Sequence, residues 1–359
     1  MSDVKIFATV IEDMAKGQVD LLAKQKSFHD QKIRIMPDVH AGKGSVIGFT
    51  STMGDYIIPN VVGVDIGCGM KTIELGKCDI DLQKLDNMIK KYIPSSTNIH
   101  KEIVCGFKKI YDIKCYSELK NPERFERSIG TLGGGNHFIE IDIDDEGNKY
   151  LILHSGSRNL GNQVAEHYQK MAVKQLKGEN VPRDLAYLSG KDKDDYLHDM
   201  EICREYAVQN RQTMADIIFD KMGIDPFLPS FETIHNYIDL ENNIIRKGAV
   251  NADKGKKLLI PLNMRDGCLI GIGKGNPDWN NSAPHGAGRI MSRTKAKAEL
   301  SMEEYRKSME GIFTTSVSLG TLDEMPMAYK DASAITDVIG DTVEIVAKIK
   351  PIYNFKAKE

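Results

Sequence analysis

Five side chains of metal-ligand type sit in short loops beside glycine or asparagine. They are Asp65 and Cys68 in GVDIGCGM (63–70), His137 in GGGNH (133–137), His154 in LHSGSR (153–158) and His235 in TIHNY (233–237). Their separations of 3, 69, 17 and 81 residues mean that only folding can bring them together. One thiolate, one carboxylate and three imidazoles make a borderline ligand field, open to Zn²⁺ or Mn²⁺. Five donors exceed the four of a closed structural zinc site. Two ions sharing a ligand would use them all, and paired ions suit phosphoryl chemistry, clamping the entering and leaving oxygens. Singly, each residue reads more simply as a small buried hydrophobe or a satisfied histidine. The joint pattern points to a metal site.

His285 differs in kind. It lies in APHGAGR (283–289), between small residues that leave its imidazole accessible to a bulky substrate, with Arg289 four positions on. A guanidinium fork can hold a phosphate, and a neutral imidazole nitrogen can attack phosphorus to form a covalent phosphoramidate. A histidine closing a turn accounts for the motif equally well.

These residues need elements to aim them. Glycine clusters at 41–48, 63–70, 130–137, 154–161 and 284–289 allow close backbone approach to a ligand, so several loops are expected to converge on one site. Helical spacing covers Leu82–Ile93, Gly161–Leu176 and Asp194–Met222, and Ser301 with Glu304 predicts a capping box opening a helix through about Ile312. Strand patterns cover Ile57–Val64, Phe138–Ile143, Tyr150–Leu153, Leu258–Leu262 and Thr342–Ile349. Strands and helices do not alternate regularly, which disfavours a doubly wound sheet or a (β/α)₈ barrel. The expected fold is α+β, one domain over residues 1–359, with β-sheets around a central metal cleft and flanking helices. The polar stretch 178–195 reads as a surface excursion. Alternation along 136–141 puts His137 opposite Asn136 and Glu140, so a bulge or irregular strand start is expected there.

Composition sets the class. With 359 residues and 41% hydrophobic content the chain can bury a large core. No window approaches ~18 apolar residues and the N-terminus lacks the pattern of a secretory signal, so a cytoplasmic protein is expected. Six cysteines are too few for a disulfide framework at this length. The net charge of −3 argues against indiscriminate nucleic-acid binding but leaves room for a local basic groove. Candidate basic groups are Lys101, Lys108, Lys109 and Lys114; Lys254, Lys256 and Lys257; and Arg289, Arg293, Lys295 and Lys297. The last adjoins His285 and is the expected groove for phosphate groups. Few aromatics (7%, one Trp) disfavour a base-stacking platform.

Taken in order, MPDVHAGKG (36–44), VGVDIGCGM (62–70), GTLGGGNHFIE (130–140), HSGSRNLG (154–161), HNY (235–237), RKGAV (246–250), HGAGR (285–289) and MAYKD (327–331) resemble the RtcB family of RNA ligases. The likeness runs from about residue 33 to 357. It implies an enzyme that joins an RNA 3′-phosphate or 2′,3′-cyclic phosphate to a 5′-hydroxyl in tRNA splicing or RNA repair, using GTP and two Mn²⁺ ions. By resemblance, Asp65, Cys68, His137, His154 and His235 are the manganese ligands, with the Cys68 sulfur bridging. His285 takes GMP, and Arg158, Lys247 and Arg289 fall on basic positions needed for activity. Asn136 lies by the GTP phosphates, Glu140 faces the guanine edge, and Asn236, Tyr329 and Lys356 line the nucleotide site. An archease-like activator is a further implied partner; no membrane is.

The chain departs from the family pattern twice. Ala357, Lys358 and Glu359 follow Lys356, and PLNMRDG (261–267) replaces an expected Gly-Ser-rich loop at the guanosine. Two rival functions use the same residues: a metal-dependent RNA phosphoesterase that never guanylylates His285, and a non-catalytic RNA-end binder.

Overall fold

A computed structural model of the chain describes residues 2–357. Its strands are β1 (Asp3–Ile6), β2 (Lys32–His40), β3 (Ile47–Thr52), β4 (Gly69–Gly76), β5 (Phe138–Ile143), β6 (Lys149–Ser155), β7 (Ser230–Ile234) and β8 (Asn236–Asp239). There follow β9 (Ile244–Lys247), β10 (Ala249–Asn251), β11 (Lys257–Asn263), β12 (Gly267–Gly273), β13 (Ser282–Pro284), β14 (Phe313–Thr314) and β15 (Val343–Lys356). The helices are α1 (Asp13–Ala23), α2 (Leu82–Tyr92), α3 (Arg158–Gln175), α4 (Gly190–Met222), α5 (Arg293–Glu299), α6 (Met302–Ser308) and α7 (Ser333–Thr336).

Alternation builds the central sheet. In β5, Ile139 and Ile141 face outward with Leu151 and Leu153 of β6, onto an apolar layer shared with α2 and α4. Phe138 turns inward with Ile152, Cys268, Ile270 and Ile349. The sheet runs β11-β12-β15-β5-β6-β4-β7, with β14 beside β15. It curls until the Leu259 N–H of β11 donates to the Thr233 hydroxyl of β7 at 3.0 Å, a nearly closed barrel. A second sheet, β1-β2-β3-β9-β8, packs with α1 and α3, and β10-β13 forms a short ribbon. This α+β architecture agrees with the expected fold class. No helix among the described residues is long and apolar enough to cross a membrane.

Four local expectations fail for identifiable reasons. Residues 57–64 are not a strand: Ile57 makes one isolated bridge to Leu188, and Pro59, which cannot donate to a ladder, opens a 3₁₀ turn over Pro59–Val61. The stretch 178–195 is only partly a surface excursion. Leu185–Leu188 is buried and α4 already starts at Gly190, so the apolar LAYL anchors what its polar neighbours disguise. The capping box at Ser301 and Glu304 is present, but α6 stops at Ser308, ahead of Gly311 at φ +87°. Finally, β15 runs on from Ile349 to Lys356 through Pro351, where the register shifts; the proline hides the continuation in sequence. Lys358 and Glu359 lie outside the described residues.

Candidate active site

Cys68 stands just ahead of β4, where Gly67 at φ +72° brings the loop against α4. α4 fixes this loop with two buried side chains. The Arg211 guanidinium donates to the Gly67 and Ser155 carbonyls at 2.9 and 2.6 Å, and Asn210 accepts from the Gly130 and Thr131 N–H groups. One helix thus binds together the three glycine loops carrying Cys68, His137 and His154. Gly156 is required there, because a Cβ would lie 2.0 Å from Asp65 Oδ1.

The five ligand-type residues meet. Cys68 Sγ lies 3.3 Å from His154 Nε2 and 3.5 Å from His137 Nε2, which in turn is 3.1 Å from Asp65 Oδ2. Two donor sets result, Asp65–Cys68–His137 and Cys68–His154–His235, each with ligand atoms within 4.8 Å and both containing Cys68. His137 Nδ1 lies 2.8 Å from the Leu132 carbonyl, the outer support usual for a ligating imidazole. His137 precedes β5 in an irregular turn, so strict alternation does not apply and it can sit with Glu140's side of the strand. Burial, reinforced by neighbouring imidazoles, pushes His154 and His235 well below the usual histidine range, keeping them neutral as ligands must be. Burial alone would raise Asp65, but the hydrogen bond and charge of His137 outweigh it and hold the carboxyl at about 2. Burial and Asp65 push the Cys68 thiol well up. Ligand atoms converging this closely on mostly buried side chains fit one or two bound cations.

His285 follows β13 with its ring centroid 5.0 Å from that of His235. Its Nδ1 lies 2.6 Å from Asp38 Oδ2, and its backbone N–H donates to the same oxygen at 3.1 Å. Asp38 is fully buried. A carboxylate on Nδ1 fixes the tautomer with the proton there, leaving Nε2 a lone pair.

His285 borders two cavities. The larger, about 660 Å³, is lined by Asn136, Glu140, His154, His235, Tyr329 and Lys356 among others. Asn263 and Met264 of the divergent 261–267 loop also line it. The smaller, about 240 Å³, takes in Asp65, Cys68, Asn136, Asn236 and Lys247. Thus the sequence-predicted residues gather around one imidazole, with Arg158 and His137 set back from both cavities. Burial pushes Glu140 up to about 7. Lys247 is lowered to about 7 by burial and donates to Lys43 O, Ser45 O and Oγ, and Asn60 O, so it buttresses the 43–45 loop. Arg158 takes φ +57°, a costly conformation for a non-glycine residue. Its side chain donates to Thr131 Oγ1 and Ser96 O and packs where Gly133 has no Cβ.

Asp38 and Glu324 were not singled out by sequence. Asp38 sits inside MPDVHAGKG beside no other catalytic signal, and Glu324 precedes MAYKD as an ordinary acidic residue. Yet Glu324 is a buried hub: Lys356 Nζ is 2.6 Å and the Tyr329 hydroxyl 2.7 Å from Oε2, and Arg293 and Arg289 are 2.6 and 3.4 Å from Oε1. Asp323 takes Arg293 and Lys297 as well. The basic group at 289–297 is therefore largely neutralised by its own neighbours. Burial opposes ionisation of Glu324, but Lys356 and Arg293 outweigh it and hold the carboxyl at about 2. A depressed carboxyl stabilises the fold above its ordinary range near 4.5, and loses that contribution as pH falls toward 2. Glu324→Gln is expected to cost ~3–5 kcal/mol near neutral pH, since it leaves buried cations uncompensated. Urea denaturation at pH 7 measures it; a change under ~1 kcal/mol would show that the hub is solvated.

The chain matches the protein-family model described as tRNA-splicing ligase RtcB over residues 18–118 and 108–357. It is 33% identical to RNA-splicing ligase RtcB of Escherichia coli (strain K12), over 95% of this chain and 94% of the relative. It is 27% identical to tRNA-splicing ligase RtcB of Nanoarchaeum equitans (97% and 94%), and 26% identical to RNA-splicing ligase RtcB2 of E. coli strain ATCC 25922 (96% and 93%).

Proposed function

This chain belongs to the RtcB family of RNA-splicing ligases, and from that premise we propose that it joins RNA 3′-phosphate or 2′,3′-cyclic phosphate ends to 5′-hydroxyl ends through a histidine–GMP intermediate. The reading takes residues 1–359 as one ligase domain working in the cytoplasm on broken or spliced RNA. The observation that carries it is His285, pinned through Nδ1 by Asp38 between two cavities, the larger bordered by His154 and His235 and the smaller by Asp65, Cys68 and His235, members of the two Cys68-containing donor sets.

Asp65, Cys68, His137, His154 and His235 would hold two Mn²⁺ ions, whose charge when bound would offset that of the phosphate oxygens. His285 Nε2 attacks the α-phosphorus of GTP, forming an N–P bond as pyrophosphate leaves. An RNA 3′-phosphate oxygen then takes the GMP, breaking that bond and giving an RNA–ppG end; a cyclic phosphate is first opened by water. The 5′-hydroxyl attacks last and GMP departs. Each step is an in-line displacement, so positioning carries most of the catalysis. Glu140 faces the guanine, Asn136 the phosphates, and Asn236, Tyr329 and Lys356 complete the nucleotide site. Arg289, held by Met291 O, Asp323 O, Glu324 and the Tyr329 hydroxyl, braces the wall of the nucleotide site, and Arg158 and Lys247 brace the loops. An archease-like activator is a candidate partner.

Incubation with α-labelled GTP and Mn²⁺ tests the reading: label should map to His285, and RNA with 3′-phosphate and 5′-hydroxyl ends should be joined. Metal-dependent hydrolysis without label would favour a phosphoesterase. No bound metal and no turnover would favour an RNA-end binder. Asp38→Asn should keep nucleotide binding but slow guanylylation by ~10²–10⁴-fold, as when a carboxylate no longer fixes a catalytic tautomer. Single-turnover labelling against GTP concentration separates the two effects; a change in binding alone would assign Asp38 to the nucleotide.

A further inference from the structure

The barrel interior holds a second group of ligand-type side chains that belongs to neither Cys68 donor set. Glu140 and Asp142 share one face of β5, and Cys268 reaches the same place from β12. Their ligand atoms lie within 4.8 Å of one another and all three residues are buried. Asn354 of β15, directly across from Glu140, donates its amide to that carboxylate.

Two independent observations point to a cation. Among the described residues no N–H or O–H group meets either oxygen of the fully buried Asp142, whose one partner is the Cys268 thiol of the same cluster, and the fully buried Asn354 Oδ1 has none. The one cation set against this acid pair among the described residues is Lys356, acting on Glu140, and its ammonium is already 2.6 Å from Glu324 and 3.2 Å from the Asn136 carbonyl. Two carboxylates buried with so little opposing charge are strongly disfavoured unless a cation or protons join them. The thiol favours the cation, because carboxylate and thiolate oxygens and sulfur together form the donor set of a borderline metal.

We infer that Glu140, Asp142 and Cys268, with the Asn354 amide oxygen as fourth donor, bind one buried divalent cation of the Zn²⁺ type, separate from the Cys68 centre. Four protein donors without an open position make such a site structural. It would join β5, β12 and β15 inside the barrel and hold Glu140 where it lines the larger cavity. The site shares Glu140 with the proposed guanine contact, and its test reads metal retention, so its failure and that of the ligase reading are distinguishable.

Co²⁺ bound to the full-length Cys68→Ala protein tests it, since that variant lacks the other thiolate ligand. After dialysis, one Co²⁺ per chain should remain, with a near-ultraviolet thiolate-to-cobalt band that disappears on adding Cys268→Ser. Asp142→Asn should weaken retention by more than the ~10–100-fold typical of losing a supporting group. In the otherwise unaltered chain, Cys268→Ser should lower bound Co²⁺ by one equivalent while the band from Cys68 persists, which guards against misfolding of the double variant. A folded Cys68→Ala protein without a thiolate band would overturn the site and assign protons to the acids. A band that survives Cys268→Ser would overturn it as well.

Discussion

His285→Ala is expected to abolish covalent labelling by α-labelled GTP, a loss of roughly 10⁴-fold or more, as for removal of other nucleophiles. The size of the effect follows from the absence of a substitute. His154 and His235 are buried and directed at Cys68, and burial keeps both uncharged. His40 lines the same cavity but its Nδ1 is 3.0 Å from the Asp38 carbonyl, and burial lowers it to about 4. The native adduct should be lost in acid and survive alkali, as a phosphoramidate does. Mapping by mass spectrometry decides: label persisting on another side chain in the variant removes His285 as nucleophile. Stability should also fall, by ~1–3 kcal/mol, because the fully buried Asp38 carboxylate loses the imidazole and keeps only the residue 285 backbone N–H.

Cys68→Ala should bring guanylylation to background for a different reason. Cys68 is the one residue common to both donor sets, so a single substitution dismantles each of them. Bound Mn²⁺, counted after gel filtration, should fall with activity. The fold should survive, at a cost of ~1 kcal/mol for one small buried group. His285→Ala, by contrast, should keep its metal. Guanylylation within tenfold of the unaltered chain would show that the sulfur is a bystander and that the imidazoles and Asp65 suffice.

Much of this centre was legible from residue types alone, because thiolate, carboxylate and imidazole beside glycine are rare enough together to signal a cleft. What could not be read was support. Asp38 is one acidic residue among 51 Asp and Glu, and nothing local marks its 247-residue reach to His285. Arg211 and Asn210 lie mid-helix in α4, where polar residues usually face solvent; tertiary contacts turn them inward to hold the loops. The fold was legible where period and length agreed, as in β5 and α2, and lost where proline or a short apolar run broke the pattern, as at Pro59, Pro351 and Leu185–Leu188. The expected basic groove illustrates the same limit: composition shows Arg289, Arg293 and Lys297, while only the folded chain sets Asp323 and Glu324 among them.

The pairing of β15 with β5 joins residues 350–356 to 138–143, more than 200 positions apart. Closing so long a loop precedes the reward of the contacts it makes, so this barrel should assemble slowly compared with helical proteins of its size. During synthesis, a nascent chain that has emerged through α4 carries Asp65, Cys68, His137 and His154 but neither His235, His285 nor the closing strand. Such an intermediate has nothing to hand a phosphate to, and its exposed strand edges make it a natural client for chaperones.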